Sequence, residues 1–331
     1  MSMTEPLPGA PARRSVARRL ITQIEARMLL LTLVVMAALS VVSPYFLTAN
    51  NLLNAMDQSV VVGMVALGQT MVILIGGIDL SVGSLAGVTG MVLGLTLPAL
   101  GLPGAVGLAL LTGALAGLAS GAIIIFGRLA PFVVTLGVMS IGRSMAYVIS
   151  GANSVGELPA RLGRLSTDTI GGLPVNFAIL LAAYGAAWWF LTRAKGGRTL
   201  YAIGSNAEAA RVAGLSIRLW SILAYGFSGL MSAVAATFLA SRILSVDPIG
   251  GNGLELDAIA AVVIGGASLF GGSGTIVGTL IGALIVAVIQ YGLVFINVEP
   301  FWQFVAVGVV IIISVLVDQS QRRLGGARVD E

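Results

Sequence analysis

The sequence predicts an all-α fold: a polytopic helical membrane protein with about ten transmembrane helices, some of them possible re-entrant segments. Three observations carry this. Of 331 residues, 57% are hydrophobic and only 10% charged, whereas a soluble domain exposes enough surface to need roughly 25% charged residues. The apolar residues fall in runs long enough to cross a bilayer, which takes about 20 residues at about 1.5 Å each. Glycine is abundant, at 44 residues. In water so much glycine would weaken helices, but in lipid small residues let helix backbones approach closely.

Taken in order, the candidate spans are 28–47, 58–76, 82–98, 104–126, 130–150, 174–192, 219–241, 257–271, 275–296 and 300–317. The third and the eighth are short and glycine-rich, the composition expected of a broken or re-entrant helix. The first follows an arginine-rich tail and is too long for a signal-peptide core, so it reads as an uncleaved span. The organisation is then a cytoplasmic tail over 1–27, a transmembrane domain over 28–317 with a cytoplasmic loop at 193–218, and a second cytoplasmic tail over 318–331.

Positive charge tests that count. With the N-terminus inside, 14 Lys and Arg residues fall on cytoplasmic segments, which include turns near 77–81, 127–129 and 272–274. Only 3, Arg161, Arg164 and Arg242, fall on the other side. An odd number of spans before the 193–218 loop destroys this asymmetry, so both termini are expected in the cytoplasm of an inner membrane. The formal charge of +4 is thereby accounted for by the bilayer, and no nucleic-acid partner is implied. The absence of Cys and His removes disulfides, thiolate chemistry and the commonest acid–base and metal-ligating group. A hydrolytic centre or a metal site is not expected.

Two hydrophilic segments stand out. Residues 151–173 are external and carry Glu157, Arg161, Arg164 and Asp168. In the internal loop, Glu208 to Arg218 is rich in helix formers and suits a short helix along the membrane face. There is also an internal echo: Ile75-Gly76-Gly77, Leu80, Gly83 and Ser84 recur in spacing as Ile264-Gly265-Gly266, Leu269, Gly272 and Ser273. It fits either an internal duplication or the chance similarity of glycine-rich spans.

Several polar residues lie within the apolar runs. Gln69, Thr70, Asp79, Ser81, Ser84 and Thr135 are candidates to line a solute path. Helix–helix hydrogen bonding explains the hydroxyls and the amide equally well. An unpaired Asp79 in lipid costs several kcal/mol. It can serve a path, or it can accept from the free N–H groups of a helix starting at Ser81 to Ser84. Arg143, late in its span, is expected to snorkel to the outer interface.

The run Glu208-Ala209-Ala210-Arg211-Val212-Ala213-Gly214 suits a short helix ended by glycine that presents charge to a groove on a partner. Glu-Ala-Ala, three residues, then Gly resembles the coupling loop of ABC-importer permeases, although Trp220-Ser221-Ile222-Leu223-Ala224 follows in place of their Ile-x-Leu-Pro. The likeness extends along the chain. Gly68-Gln69-Thr70, Gly76 through Ser84, Pro131 through Gly137, Gly197-Arg198 through Asn206, Val263 through Gly266, and Gly271 through Gly274 occur in order. Together they resemble the permease subunit of ribose-type sugar ABC importers. That group also serves xylose, arabinose, galactose and autoinducer-2, and branched-chain amino-acid permeases are its distant relatives.

That resemblance implies a type II ABC importer-like subunit, one of two permease copies or paralogues forming a pathway for a monosaccharide. It implies a cytoplasmic ABC ATPase that docks on the 193–218 loop and holds the ATP and Mg. This chain has no Gly-x-x-x-x-Gly-Lys-Ser/Thr phosphate loop and needs no cofactor of its own. Glu208, Ala209, Ala210, Arg211 and Gly214 are the implied coupling residues. A periplasmic sugar-binding protein is implied at the outer face, with Glu157, Arg161, Arg164, Asp247 and Glu255, beside Asp257, as docking candidates. Alternatives are a permease for a branched-chain amino acid or autoinducer-2, and an autonomous secondary transporter. The scarcity of ionisable residues within spans argues against the last.

Overall fold

The structure is a computed structural model that describes residues 24–42 and 46–295, with the isolated positions 299, 302, 305, 308, 309 and 312. Most of the N-terminal tail, the tail 318–331 and most of the span expected at 300–317 lie outside the described residues. Among the described residues the architecture is helical. It comprises α1 (Ile24–Val42), α2 (Ala49–Leu74), α3 (Val82–Gly127), α4 (Pro131–Ser150), α5 (Ala160–Thr167), α6 (Val175–Arg193), α7 (Lys195–Ser205), α8 (Ala207–Val212), α9 (Ile217–Ile243), α10 (Leu254–Ile264) and α11 (Ile276–Phe295). A small hairpin before α6 pairs Thr169 with Pro174 and Ile170 with Leu173. Its turn is Gly171-Gly172, both at positive φ, as a two-residue type I′ turn requires.

α2 is the central helix. Its apolar stretch is 94% buried against 22% for α4, so α2 is surrounded by protein while α4 shows most of its surface to whatever lies outside the chain. α9, α10 and α11 pack round α2, and α1 lies along α11.

The expected spans 82–98 and 104–126 are the two arms of α3. This element has 46 residues, about 69 Å if straight, more than twice the roughly 30 Å of hydrocarbon. The chain reverses at Gly101 (φ 64°), between Pro98 and Pro103. The positive φ suits glycine, and the two prolines disfavour helix on either side. Both arms then lie along α9: Gly90 beside Ala236, and Gly113 beside Gly229 and Ala233.

The second arm shows why glycine is so frequent. Gly113, Gly117 and Gly121, one turn apart, face Gly229, Tyr225 and Ile222 of α9, and a methyl on Gly117 would sit 2.2 Å from the Tyr225 carbonyl oxygen. Backbone meets backbone there, as in small-residue membrane seams. Gly117→Val is expected to destabilise the protein by about 1–3 kcal/mol through forced separation of the helices. An unchanged thermal midpoint in detergent would show that the seam is not under this constraint.

The segment 257–271, whose composition suggested a broken or re-entrant helix, holds a short helix that starts three residues earlier. α10 is an 11-residue helix, about 16 Å long, and covers only part of a crossing. The turn before it, Gly251 to Gly253, dips into the bundle and packs on Gly83 and Ala86. The echo noted in the sequence is a recurrence of one helix ending, shifted by a residue. Gly76 (φ 80°) and Gly266 (φ 87°) are the equivalent positions. Gly76 N–H donates to the Ile73 carbonyl (2.8 Å) and Gly77 N–H to Val72 (3.0 Å), while Gly266 donates to Val263 (2.9 Å) and Ala267 to Val262 (3.1 Å). Both ends are Schellman caps. The fold uses the first glycine of one Gly-Gly pair and the second of the other, which spacing alone did not reveal.

Candidate functional site

The segment 77–81 was expected to be a cytoplasmic turn, and the structure corrects this. After α2 ends at Leu74 the chain doubles back into the bundle. Asp79 Oδ2 accepts from the Ser228 hydroxyl (2.8 Å), near the middle of α9. Gly68 of α2 packs on the same Ser228. Non-helical backbone at membrane depth must find its hydrogen bonds within the protein. Gln69 supplies two of them, its amide donating to the Asp79 carbonyl and accepting from the Asp79 N–H, both at 3.1 Å. The Thr135 hydroxyl of α4 reaches the Ile78 carbonyl at 3.2 Å. Asp79 Oδ1 accepts from the Ser81 N–H (3.0 Å) and hydroxyl (2.6 Å), and the Ser84 hydroxyl donates to the Ser81 carbonyl (2.8 Å).

Of the two roles open to Asp79, the geometry supplies the local acceptor at the start of α3. All six candidates for a solute path, Gln69, Thr70, Asp79, Ser81, Ser84 and Thr135, have 0% exposure within this chain. Five of them fasten the break. Thr70 instead joins α2 to α11 through Thr279 (2.9 Å). Ser228 was missed, because a serine in a Gly-Ser-Ala-rich span gives no sign of which carboxylate it faces.

The internal loop forms two helices where one was expected. α7 precedes the anticipated helix, and α8 is confined to six residues, Ala207–Val212. Asn206 caps α8, its side chain accepting from the Ala209 N–H (2.9 Å). Gly214 (φ 76°) ends it, with Leu215 N–H donating to the Ala210 carbonyl (3.1 Å). Ala210 points inward and Ala209 and Val212 outward. Glu208 and Arg211 pair across one turn, Arg211 Nε donating to Glu208 Oε2 (3.0 Å), and both side chains are 69% exposed. The guanidinium holds the Glu208 carboxyl below the usual carboxylate range.

Directly beneath this loop three chain segments meet at glycines. A methyl on Gly204 of α7 would lie 2.0 Å from the Leu74 carbonyl oxygen and 2.4 Å from the Gly272 nitrogen, and one on Gly271 would lie 2.8 Å from the Gly76 nitrogen. Gly272 N–H donates to the Leu74 carbonyl (3.0 Å). The ends of α2 and of the α10–α11 connection are thus seated on the helix that leads into α8.

On the opposite side, Glu157, Arg161 and Arg164 are exposed on the 151–173 segment. Asp247 lies beside that segment, accepting from the Ser154 hydroxyl, where Val155 bridges Val246. Glu255 and Asp257 depart from the expected outer cluster because the Gly251–Gly253 turn carries them inward. Asp257 is buried, and Glu255 Oε2 lies against Gly83. Arg143 is also corrected. Its guanidinium folds onto protein carbonyls, Nη1 donating to Ile249 (3.1 Å) and Gly250 (3.3 Å), with Nη2 donating to Asn252 Oδ1 (3.4 Å). The inward turn leaves those carbonyls without helical partners, and they outcompete the interface for the cation.

A second polar group escaped sequence reasoning. Asp57 of α2 pairs with Arg242 Nε of α9 (3.1 Å) and accepts from the Asn176 amide of α6. Asn176 also reaches Ser166 of α5 (3.3 Å). The available signal was an acid near the start of one span and a base at the end of another on the same side of the membrane.

Comparison with known proteins places this geometry. A family profile described as "Branched-chain amino acid transport system / permease component" matches residues 51–315. The ribose import permease protein RbsC of Escherichia coli (strain K12) is 39% identical over 306 residues, covering 90% of this chain and 94% of that protein. The D-allose transport system permease protein AlsC of the same strain is 34% identical over 290 residues (86% and 89%). The fructose import permease protein FrcC of Rhizobium meliloti is 35% identical over 289 residues (84% and 80%). No solved structure matches the chain. The profile runs from the start of α2 past the end of α11, across both helix breaks and the α7–α8 loop, and the chain belongs to this transport-system permease-component family.

Proposed function

We propose that this chain is the membrane-spanning, non-catalytic permease subunit of an ATP-driven, binding-protein-dependent importer. Its cargo is a monosaccharide, carried inward across a bacterial inner membrane. The observation that carries this reading is the end-to-end likeness to permeases named for ribose, allose and fructose. In this reading both termini are cytoplasmic and two permease copies or paralogues enclose the path. A partner ATPase binds ATP and Mg and docks on α7 and α8. The exposed Glu208–Arg211 face of α8, with Val212 beside it, is what the ATPase grips. A periplasmic binding protein delivers sugar to the side that carries Glu157, Arg161, Arg164 and Asp247, where rim charges steer the encounter.

Reconstitution tests it. With the partner ATPase and binding protein in proteoliposomes, ATP in the ATPase compartment should drive accumulation of ribose, allose or fructose. Sugar flux through the permease alone, without ATPase, would overturn the reading in favour of an autonomous carrier. The family description favours a second reading, a branched-chain amino acid as cargo, and leucine accumulation in place of sugar would select it.

A further inference from the structure

Of the six longest apolar helices among the described residues, α4 has the smallest buried share, yet the face it turns outward is not uniformly apolar. Ser140 and Ser144, one turn apart, are exposed, and Arg143 lies between them. A guanidinium on a bilayer-facing helix is costly unless it faces protein or a water-filled space, whereas the Ser140 hydroxyl donates back to the Leu136 carbonyl (3.2 Å). Here they border a cleft of about 400 Å³ lined by Met139, Ser140, Arg143, Ser144, Asn252 and Glu255. Behind it stand the first turns of two interrupted helices, α3 after Ser81 and α10 after Gly253. Glu255 Oε2 lies 2.0 Å from where a methyl on Gly83 would be, and Ser84 Oγ lies 2.8 Å from one on Gly142. Because Asp79 reaches Ser228 near the middle of α9, the cleft lies partway across the membrane. Interrupted helices meeting at such a depth are a recurring way of building a solute site.

The cleft's chemistry selects among solutes. Arg143 is already engaged by the carbonyls of residues 249 and 250 and by Asn252, so it is poorly placed to clamp a carboxylate. Glu255 belongs to the lining, with Oε2 buried against Gly83 and without a hydrogen-bond partner, so its carboxylate is an acceptor that the protein leaves unused. The serines and the Asn252 amide both donate and accept. One cation and one anion leave the lining close to neutral.

We propose that this cleft is a holding site for a neutral polyol partway through the membrane, on a face that a second permease copy would close. This rests on the sugar-import reading above. The natural absence of cysteine gives a direct test in the reconstituted importer. Ser140→Cys and Ser144→Cys should react with a quaternary-ammonium methanethiosulfonate at least about tenfold faster than Met145→Cys, an exposed position of α4 outside the cleft lining. Ribose delivered by the binding protein should slow them about tenfold, which corresponds to about nine-tenths occupancy of the cleft. Equal, slow reaction at all three positions would mean the serines face lipid and would overturn the proposal. So would rapid reaction that ribose, allose and fructose all leave unchanged, or that leucine slows instead. Wild-type sugar uptake in the same vesicles separates the two ideas: with uptake present, sugar-independent labelling removes the cleft assignment and leaves the import reading standing.

Discussion

Glu208→Lys is expected to abolish ATP-driven uptake while leaving insertion and folding intact. The side chain is largely exposed, and its pair with Arg211 lies within a single turn of α8. Such an exposed pair, screened by solvent, contributes little to stability, so its loss does not unfold the chain. What the substitution does change is the charge offered to the proposed docking groove, where a reversed charge opposes binding. The intrahelical pair supplies a control. In the double swap Glu208→Arg with Arg211→Glu, the helix regains its ion pair but presents opposite charges at each position. If Glu208 only stabilised α8, the swap would restore uptake. If it is gripped by the ATPase, uptake stays lost in the swap, and binding-protein-stimulated ATP hydrolysis falls with it. Wild-type uptake by Glu208→Lys would remove the coupling assignment.

Asp79→Ala is expected to have the largest effect on the fold itself. It strips the acceptor from the Ser81 N–H, the Ser81 hydroxyl and the Ser228 hydroxyl, all in a segment with no access to water. Each buried donor left without a partner costs about 1–3 kcal/mol, so a loss of about 3 kcal/mol or more is expected, read as a lowered thermal midpoint in detergent. Asp79→Asn keeps the shape and one acceptor oxygen, and its amide can donate to Ser228. It should cost only about 1 kcal/mol and transport at close to the wild-type rate. An Asn variant that folds normally but carries no sugar would instead show that the negative charge acts in transport.

The sequence read well where a signal is spread over many residues. Long apolar runs gave the spans, the gap between the runs 82–98 and 104–126 fell where α3 reverses at Gly101, and an alanine-rich stretch closed by Gly214 gave α8. It read less well where a residue's role depends on a partner far along the chain. Arg143 looked like a snorkelling cation, because nothing in its own span reveals that a turn more than a hundred residues later offers it three carbonyls. Gln69 and Thr135 looked like polar residues in search of a path. Their task, satisfying the backbone of residues 78 and 79, is visible only once that backbone is known to be non-helical. Ser140 and Ser144 went unremarked, since a helical repeat does not say which face is left uncovered.

The corner where Gly204, Gly76, Gly271 and Gly272 meet has a mechanical consequence. Proteins usually absorb small movements by letting side chains change rotamer between the parts that move. At this corner peptide groups press directly on peptide groups, so there is no compliant layer. Under the proposed docking, a push delivered to α7 would arrive at the end of α2 and at the α10–α11 connection with little loss, as in a lever with no play at its fulcrum. Even the small step Gly204→Ala would have to pry the joint apart, loosening the linkage between the loop and the segments that rest on it.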